Sequence, residues 1–211
     1  MSPMDTPPVG VTNAPVQVTT NPAFLHDRYL LKRQLLKLVG ASFNIYDPGG
    51  TQVLQANQKG FKLKEDIRLL GGPGLQQELV GIFARQVMDF SAAYDVVDLT
   101  TNTKIGALRR KGFRSIVRDE WLVLDPWDRE IGKVIEDSMA LALVRRFLTN
   151  LVPQNYDLLL GTTRAVDLKQ NFNPFSYHLN VVFEVPATQF DRRVGLATAV
   201  LIAAIEGRQR G

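Results

Sequence analysis

The residues in this chain best equipped to do chemistry are cations. Lys104, Arg109, Arg110, Lys111, Arg114 and Arg118 fall within fifteen consecutive positions. Clustered guanidinium and ammonium groups hold phosphorylated head groups, Arg as a planar fork and Lys as a point charge. In a hairpin spanning residues 105–124, Arg110-Lys111-Gly112 lies at or near the turn, so the charge gathers at the rim of the sheet that the hairpin joins. Lys104, Arg109, Arg110, Lys111 and Arg114 are therefore the candidate site for an anionic head group. The competing reading is that Asp119, Glu120 and solvent neutralise an exposed strand edge, where charge also discourages edge pairing. Nucleic acid fits the cluster poorly, because Phe113 is its one aromatic neighbour and single-strand binders stack bases on several rings.

Catalytic and metal chemistry find little support. His26 and His178 have no partner at metal-ligand spacing, and the chain has no cysteine to act as thiolate ligand or nucleophile. No Gly-x-Ser-x-Gly elbow occurs. Asp98, Asp125 and Asp157 stand where turns use a carboxylate to accept nearby backbone N–H groups. The glycine-rich run Leu69-Leu70-Gly71-Gly72-Pro73-Gly74-Leu75 reads as a loop, and it lacks the Gly-Lys-Ser/Thr ending of a phosphate cradle. The expectation is a protein that is not an enzyme, with no catalytic residues, no metal and no cofactor.

Length and composition bound the rest. With 211 residues, of which 45% are hydrophobic, the chain can bury one sizeable core. Lys and Arg number 25 against 21 Asp and Glu, and the net charge of +4 weakly favours anionic surfaces. No basic segment followed by an apolar stretch opens the chain, so a cytoplasmic location is expected, peripheral to the inner membrane face if the lipid reading holds. Residues 1–24 carry Pro3, Pro7, Pro8, Pro15 and Pro22 without a Lys or Arg, and are expected to be a disordered tail. Residues 25–211 then form a single domain.

The elements that would position the cations are short strands joined by strong turns. Residues 43–46 lead through Asp47-Pro48-Gly49-Gly50 to residues 51–56. Proline presets one turn angle and glycine accepts positive φ, so this reads as a hairpin. The pattern recurs at residues 94–98 with 105–108, at 121–126 with 131–135, and at 156–160 with 164–168. Residues 61–64, 81–85 and 179–183 add further strands, which predicts ten or more in all. One amphipathic helix is predicted over 138–151, where Leu141, Val144, Leu148 and Leu151 recur at helical spacing. At the C-terminus, Asp191-Arg192-Arg193 precedes twelve uncharged residues, 194–205, which read as a helix apolar on every side. Asp191 is placed to cap its start, and Gly207 its end. At about 18 Å the run falls short of the roughly 30 Å hydrocarbon core of a bilayer, so burial in protein is expected rather than a transmembrane span. A closed antiparallel barrel threaded by this helix covers it on all sides and removes every strand edge. A sandwich with the helix across one end is the alternative. Gly195, Ala197, Ala199, Ala203 and Ala204 would let the walls of a barrel approach closely.

The order Tyr29-Leu30-Leu31-Lys32-Arg33-Gln34, then Phe43-Asn44-Ile45-Tyr46-Asp47-Pro48-Gly49-Gly50, the strand starts Ile105-Gly106 and Ile131-Gly132, and the closing Asp191-Arg192-Arg193 with its apolar helix resembles the LURP-one-related proteins and the phospholipid scramblases of the tubby C-terminal-like superfamily. The resemblance covers about residues 24–207. It implies a twelve-stranded barrel threaded by a hydrophobic C-terminal helix. It further implies a phosphoinositide-binding or lipid-associated module, with scramblase-like activity among the family's functions. A protein-interaction or regulatory scaffold without a lipid ligand is the alternative. The aspartate-rich calcium segment of scramblases has no counterpart here: residues 178–186 offer Glu184, and Asp191 is distant, too few oxygens for calcium.

Overall fold

The computed structural model describes residues 18–34, 42–59, 66–85, 92–110, 120–136, 155–171 and 177–206. Twelve strands and one α-helix account for most of them: β1 (Arg28–Arg33), β2 (Ser42–Tyr46), β3 (Gln52–Lys59), β4 (Asp66–Gly71), β5 (Gln77–Ala84), β6 (Ala93–Asp98), β7 (Thr103–Arg110), β8 (Trp121–Leu124), β9 (Glu130–Glu136), β10 (Asn155–Leu160), β11 (Thr163–Asn171), β12 (His178–Phe183) and α1 (Arg192–Glu206). Each strand pairs antiparallel with the next, and β1 pairs with β12, so the sheet is a closed barrel without an edge. The expected fold is the observed one. The helix predicted over 138–151, the strand over 61–64 and the Gly207 cap lie outside the described residues.

Alternation along each strand sends apolar side chains into the lumen. Leu31, Ile45, Leu54, Leu69, Val96, Val134, Leu158 and Val181 are all at 0% exposure, with neighbours in the sequence half-buried or exposed. The helix fills the space they surround. From Leu196 to Ala204 none of its residues exceeds 3% exposure, and the small side chains permit that density. A Cβ at Gly195 would collide with the Phe183 ring, which is why the wall can close on the helix there. Fifteen residues of helix rise about 22 Å, close to the height of tilted strands of six to eight residues, so one helix spans the lumen from end to end.

Turn chemistry fixes one rim. Asp47 accepts the Thr51 N–H at 2.8 Å, Asp98 the Thr100 N–H at 2.8 Å, and Asp125 those of Trp127 and Arg129 at 2.9 and 3.0 Å. Left-handed residues complete these turns at Gly50, Asn102, Asp128 and Gly161. All five of these short connections, including the one between β4 and β5, lie at the end where α1 begins, here called the near rim. The opposite end is the far rim.

Three readings of the sequence need correction. Leu69, Leu70 and Gly71 belong to β4 and not to a loop; Gly71 sits in a strand where an added Cβ would meet the side chains of Leu79 and Leu54. Asp157 lies within β10, opposite Asp167, and bonds Arg164 in place of a turn. The tail boundary at residue 24 falls too late, because a 3-10 turn over Pro22–Phe24, capped by Asn21, buries Ala23 and Phe24 in the core.

Candidate functional site

Strand geometry divides the basic cluster. Lys104 stands at the start of β7 on the near rim, and Arg109 and Arg110 end the same strand on the far rim. Six residues of extended chain separate Lys104 from Arg110 by about 20 Å. Lys104 is also neutralised: its Nζ lies 2.7 Å from Asp128 and 3.1 Å from Asp95, and Arg85 binds both carboxylates as well. These cations hold the Asp95 and Asp128 carboxyls below the usual range, for Asp95 against the opposing effect of burial. Arg109 is exposed and Arg110 half-buried. Lys111, Arg114 and Arg118 lie outside the described residues. The structure thus brings Arg109 and Arg110 together and sets Lys104 apart.

The strand ends of the far rim are joined by six segments: 34–41, 60–65, 85–92, 111–120, 137–154 and 172–177. Their sequence carries nine Lys or Arg against five Asp or Glu. The five near-rim turns, 47–51, 72–76, 99–102, 125–129 and 161–162, carry one Arg against three Asp. The connections that leave the far rim are thus the more basic in sequence, and Arg109 and Arg110 end β7 at that rim.

The near rim holds an ionic cluster that reading the sequence missed. Asp191 caps α1 as predicted, accepting the Arg193 N–H at 2.8 Å. Arg193 itself is buried, with Nε and Nη2 on Asp191 and Nη1 2.6 Å from Asp98. Burial works against its charge, and the hydrogen bonds and charges of Asp191 and Asp98 outweigh that, so its pKa is raised. Burial would likewise raise the Asp98 carboxyl, but the hydroxyl and N–H of Thr100 and the Arg193 charge hold it below the ordinary range. Arg192 is equally buried. It reaches Asp27 at 2.5 Å and the Val185 carbonyl at 2.8 Å, with its guanidinium 4.3 Å from the centre of the Phe183 ring. Both arginines flank an apolar run, and sequence proximity gives no signal of Asp98 and Asp27, which lie 95 and 165 residues earlier in the chain.

The same rim presents Trp127, 64% exposed, at the tip of the β8–β9 turn. Arg129 lies 5.1 Å from its ring centre and is tied to Asp125 at 2.6 Å. Asp-Pro-Trp-Asp is a turn sequence, so its position was the available signal that this indole faces solvent. His26 lies 3.9 Å from Asp47, and burial together with the nearby Lys32 charge lowers the pKa of His178. Among the described residues no group of His, Cys, Asp or Glu is arranged to hold a metal ion. No helix among them is long and apolar enough to cross a membrane. No protein-family model matches the chain, and no curated protein matches it.

Proposed function

We propose that this chain is a non-catalytic module that associates peripherally with anionic phospholipid or phosphoinositide head groups through its far rim. The observation that supports this reading is the position of Arg109 and Arg110 at the end of β7, on the rim from which the connections richer in Lys and Arg, the one with Lys111 and Arg114 among them, depart. Guanidinium groups at a rim can engage phosphates without desolvating a buried site. The lumen is filled by α1, which leaves the outer surface to do the binding. A barrel alone does not indicate lipid, but the LURP-one-related and scramblase resemblance points the same way.

Vesicle flotation tests the proposal. Each basic residue near an anionic surface contributes on the order of 1 kcal/mol, so Arg109→Ala, Arg110→Ala and Lys111→Ala together should weaken binding about a hundredfold and leave the melting temperature unchanged. Wild-type protein that ignores anionic vesicles at low salt would refute it, as would protein that resists a high-salt wash. The scaffold reading rests on a separate observation, the exposed Trp127 with Arg129 over its ring, since Trp and Arg are enriched among the residues that anchor protein interfaces.

A further inference from the structure

The ring order of the strands sets two basic strand ends against each other. β1 finishes in Lys32-Arg33 and β7 in Arg109-Arg110, both on the far rim, and of the twelve strand ends there these two alone close on a pair of cations. In the closed order β1 and β7 are six places apart whichever way the barrel is followed, so the two pairs stand at opposite points of one rim. Twelve strands about 4.8 Å apart and tilted by about 40° close a barrel roughly 24 Å across, and that is the approximate separation of the pairs.

Both strand ends are held in place to the last residue. The Arg33 N–H donates to the Tyr177 carbonyl at 3.0 Å, and the Arg110 N–H to the Ala92 carbonyl at 2.9 Å. Lys32 stands between His178 and Asn44 in the cross-strand register, with its Nζ 4.8 Å from the centre of the Tyr46 ring, and no carboxylate engages it among the described residues. Its flexible stem lets the ammonium leave that ring for a phosphate. Arg109 is exposed and likewise has no ion pair among the described residues. Asp66 and Glu136 are the acidic residues that begin or end strands on this rim, and Asp66 is bonded to Arg68 at 2.5 and 2.8 Å.

A separation of about 24 Å is some three Debye lengths at physiological salt, so the two pairs act independently and no single phosphate reaches both. One pair of cations is a weak site by itself. An extended anionic plane engages both at once, and their contributions multiply because the first contact raises the local concentration for the second. Resting on the head-group reading above, we propose that the barrel stands upright on an anionic bilayer, on Lys32-Arg33 at one side of the far rim and Arg109-Arg110 at the other, with its near rim turned away from the membrane. Because α1 spans the lumen over about 22 Å, Trp127 on the near rim is carried roughly that far above the surface. It stays in water, where the Trp127–Arg129 face is open to a protein partner.

Flotation of the full chain with vesicles of phosphatidylcholine and phosphatidylserine at low salt measures the two contacts. Lys32→Ala with Arg33→Ala should weaken binding about thirtyfold, as should Arg109→Ala with Arg110→Ala, and all four together about a thousandfold. Lys32→Arg with Arg33→Lys keeps both charges and should bind as wild type does, which separates loss of charge from loss of fold. Acrylamide quenching reads the orientation: of the two tryptophans Trp121 is buried, so the quenchable emission is that of Trp127, and it should not change when vesicles are added. Wild-type protein that ignores the vesicles removes the head-group reading and the upright stance with it. Protein that binds through Arg109 and Arg110 but is indifferent to loss of Lys32 and Arg33, or whose Trp127 is shielded by the vesicles, overturns the upright stance and leaves the head-group reading in place.

Discussion

Replacing Arg193 with Met should be among the most damaging single changes available to this protein. The side chain is 5% exposed and is the cation facing both Asp191 and Asp98, whose own side chains are 10% and 11% exposed. Methionine would keep the volume and remove the charge, leaving two carboxylates in a low-dielectric site at the start of the helix. Breaking a buried pair in this way costs about 3–5 kcal/mol, mostly the desolvation of the charges left behind. For a chain of this length that is a fall of about 6 to 20 °C in melting temperature, readable by circular dichroism at pH 7. The pH dependence supplies a second check. Because the folded-state pKa of Asp98 is depressed, its contribution is present above the unfolded value near 3.9 and is lost as pH falls through the folded value. The gap between wild type and Arg193→Met should therefore narrow below about pH 4. A loss under about 1 kcal/mol at pH 7, or a gap that widens in acid, would refute the idea that Arg193 neutralises a buried site.

Two further outcomes follow from the near rim. Phe24→Ala should cost about 3–5 kcal/mol in urea denaturation, since the ring is 2% exposed and seals the core beside Tyr29; no effect would mean that the segment is a detached tail. Burial raises the Tyr29 pKa to about 12, with the His26 N–H partly opposing it, so its contribution is complete below pH 10 and lost between pH 10 and 12. Tyr29→Phe gives up the hydrogen bond to the Ala23 carbonyl, about 1 kcal/mol at pH 7, yet should show a shallower decline across that alkaline window; an identical decline would rule out Tyr29 as the group responsible.

The architecture was legible where a local rule decided it. Asp-Pro and Gly-Gly marked the hairpins because their backbone angles admit few alternatives, and an uncharged run of twelve residues demanded enclosure whatever the surrounding sheet. Sequence failed where one residue type serves two ends. Gly71 reads as part of a glycine-rich loop, and its role is to make room inside a strand. Lys104 and Arg110 were grouped because they are close in sequence, whereas an extended chain puts them at opposite rims. Nothing local in the sequence names Asp27 or Asp98 as the partners of Arg192 and Arg193.

The seam between β1 and β12 governs how the protein comes into being. Leu30 pairs with Asn180, and the helix that fills the lumen is synthesised after all twelve strands. Until then, ten or eleven strands exist as an open sheet with two free edges and an unfilled apolar face. Contacts of such long range make folding slow, and the nascent chain spends that time as an aggregation-prone intermediate. Barrel closure and core filling must therefore arrive together, once β12 and the helix have both been made. A chain ending before residue 178 would lack both and remain prone to aggregation.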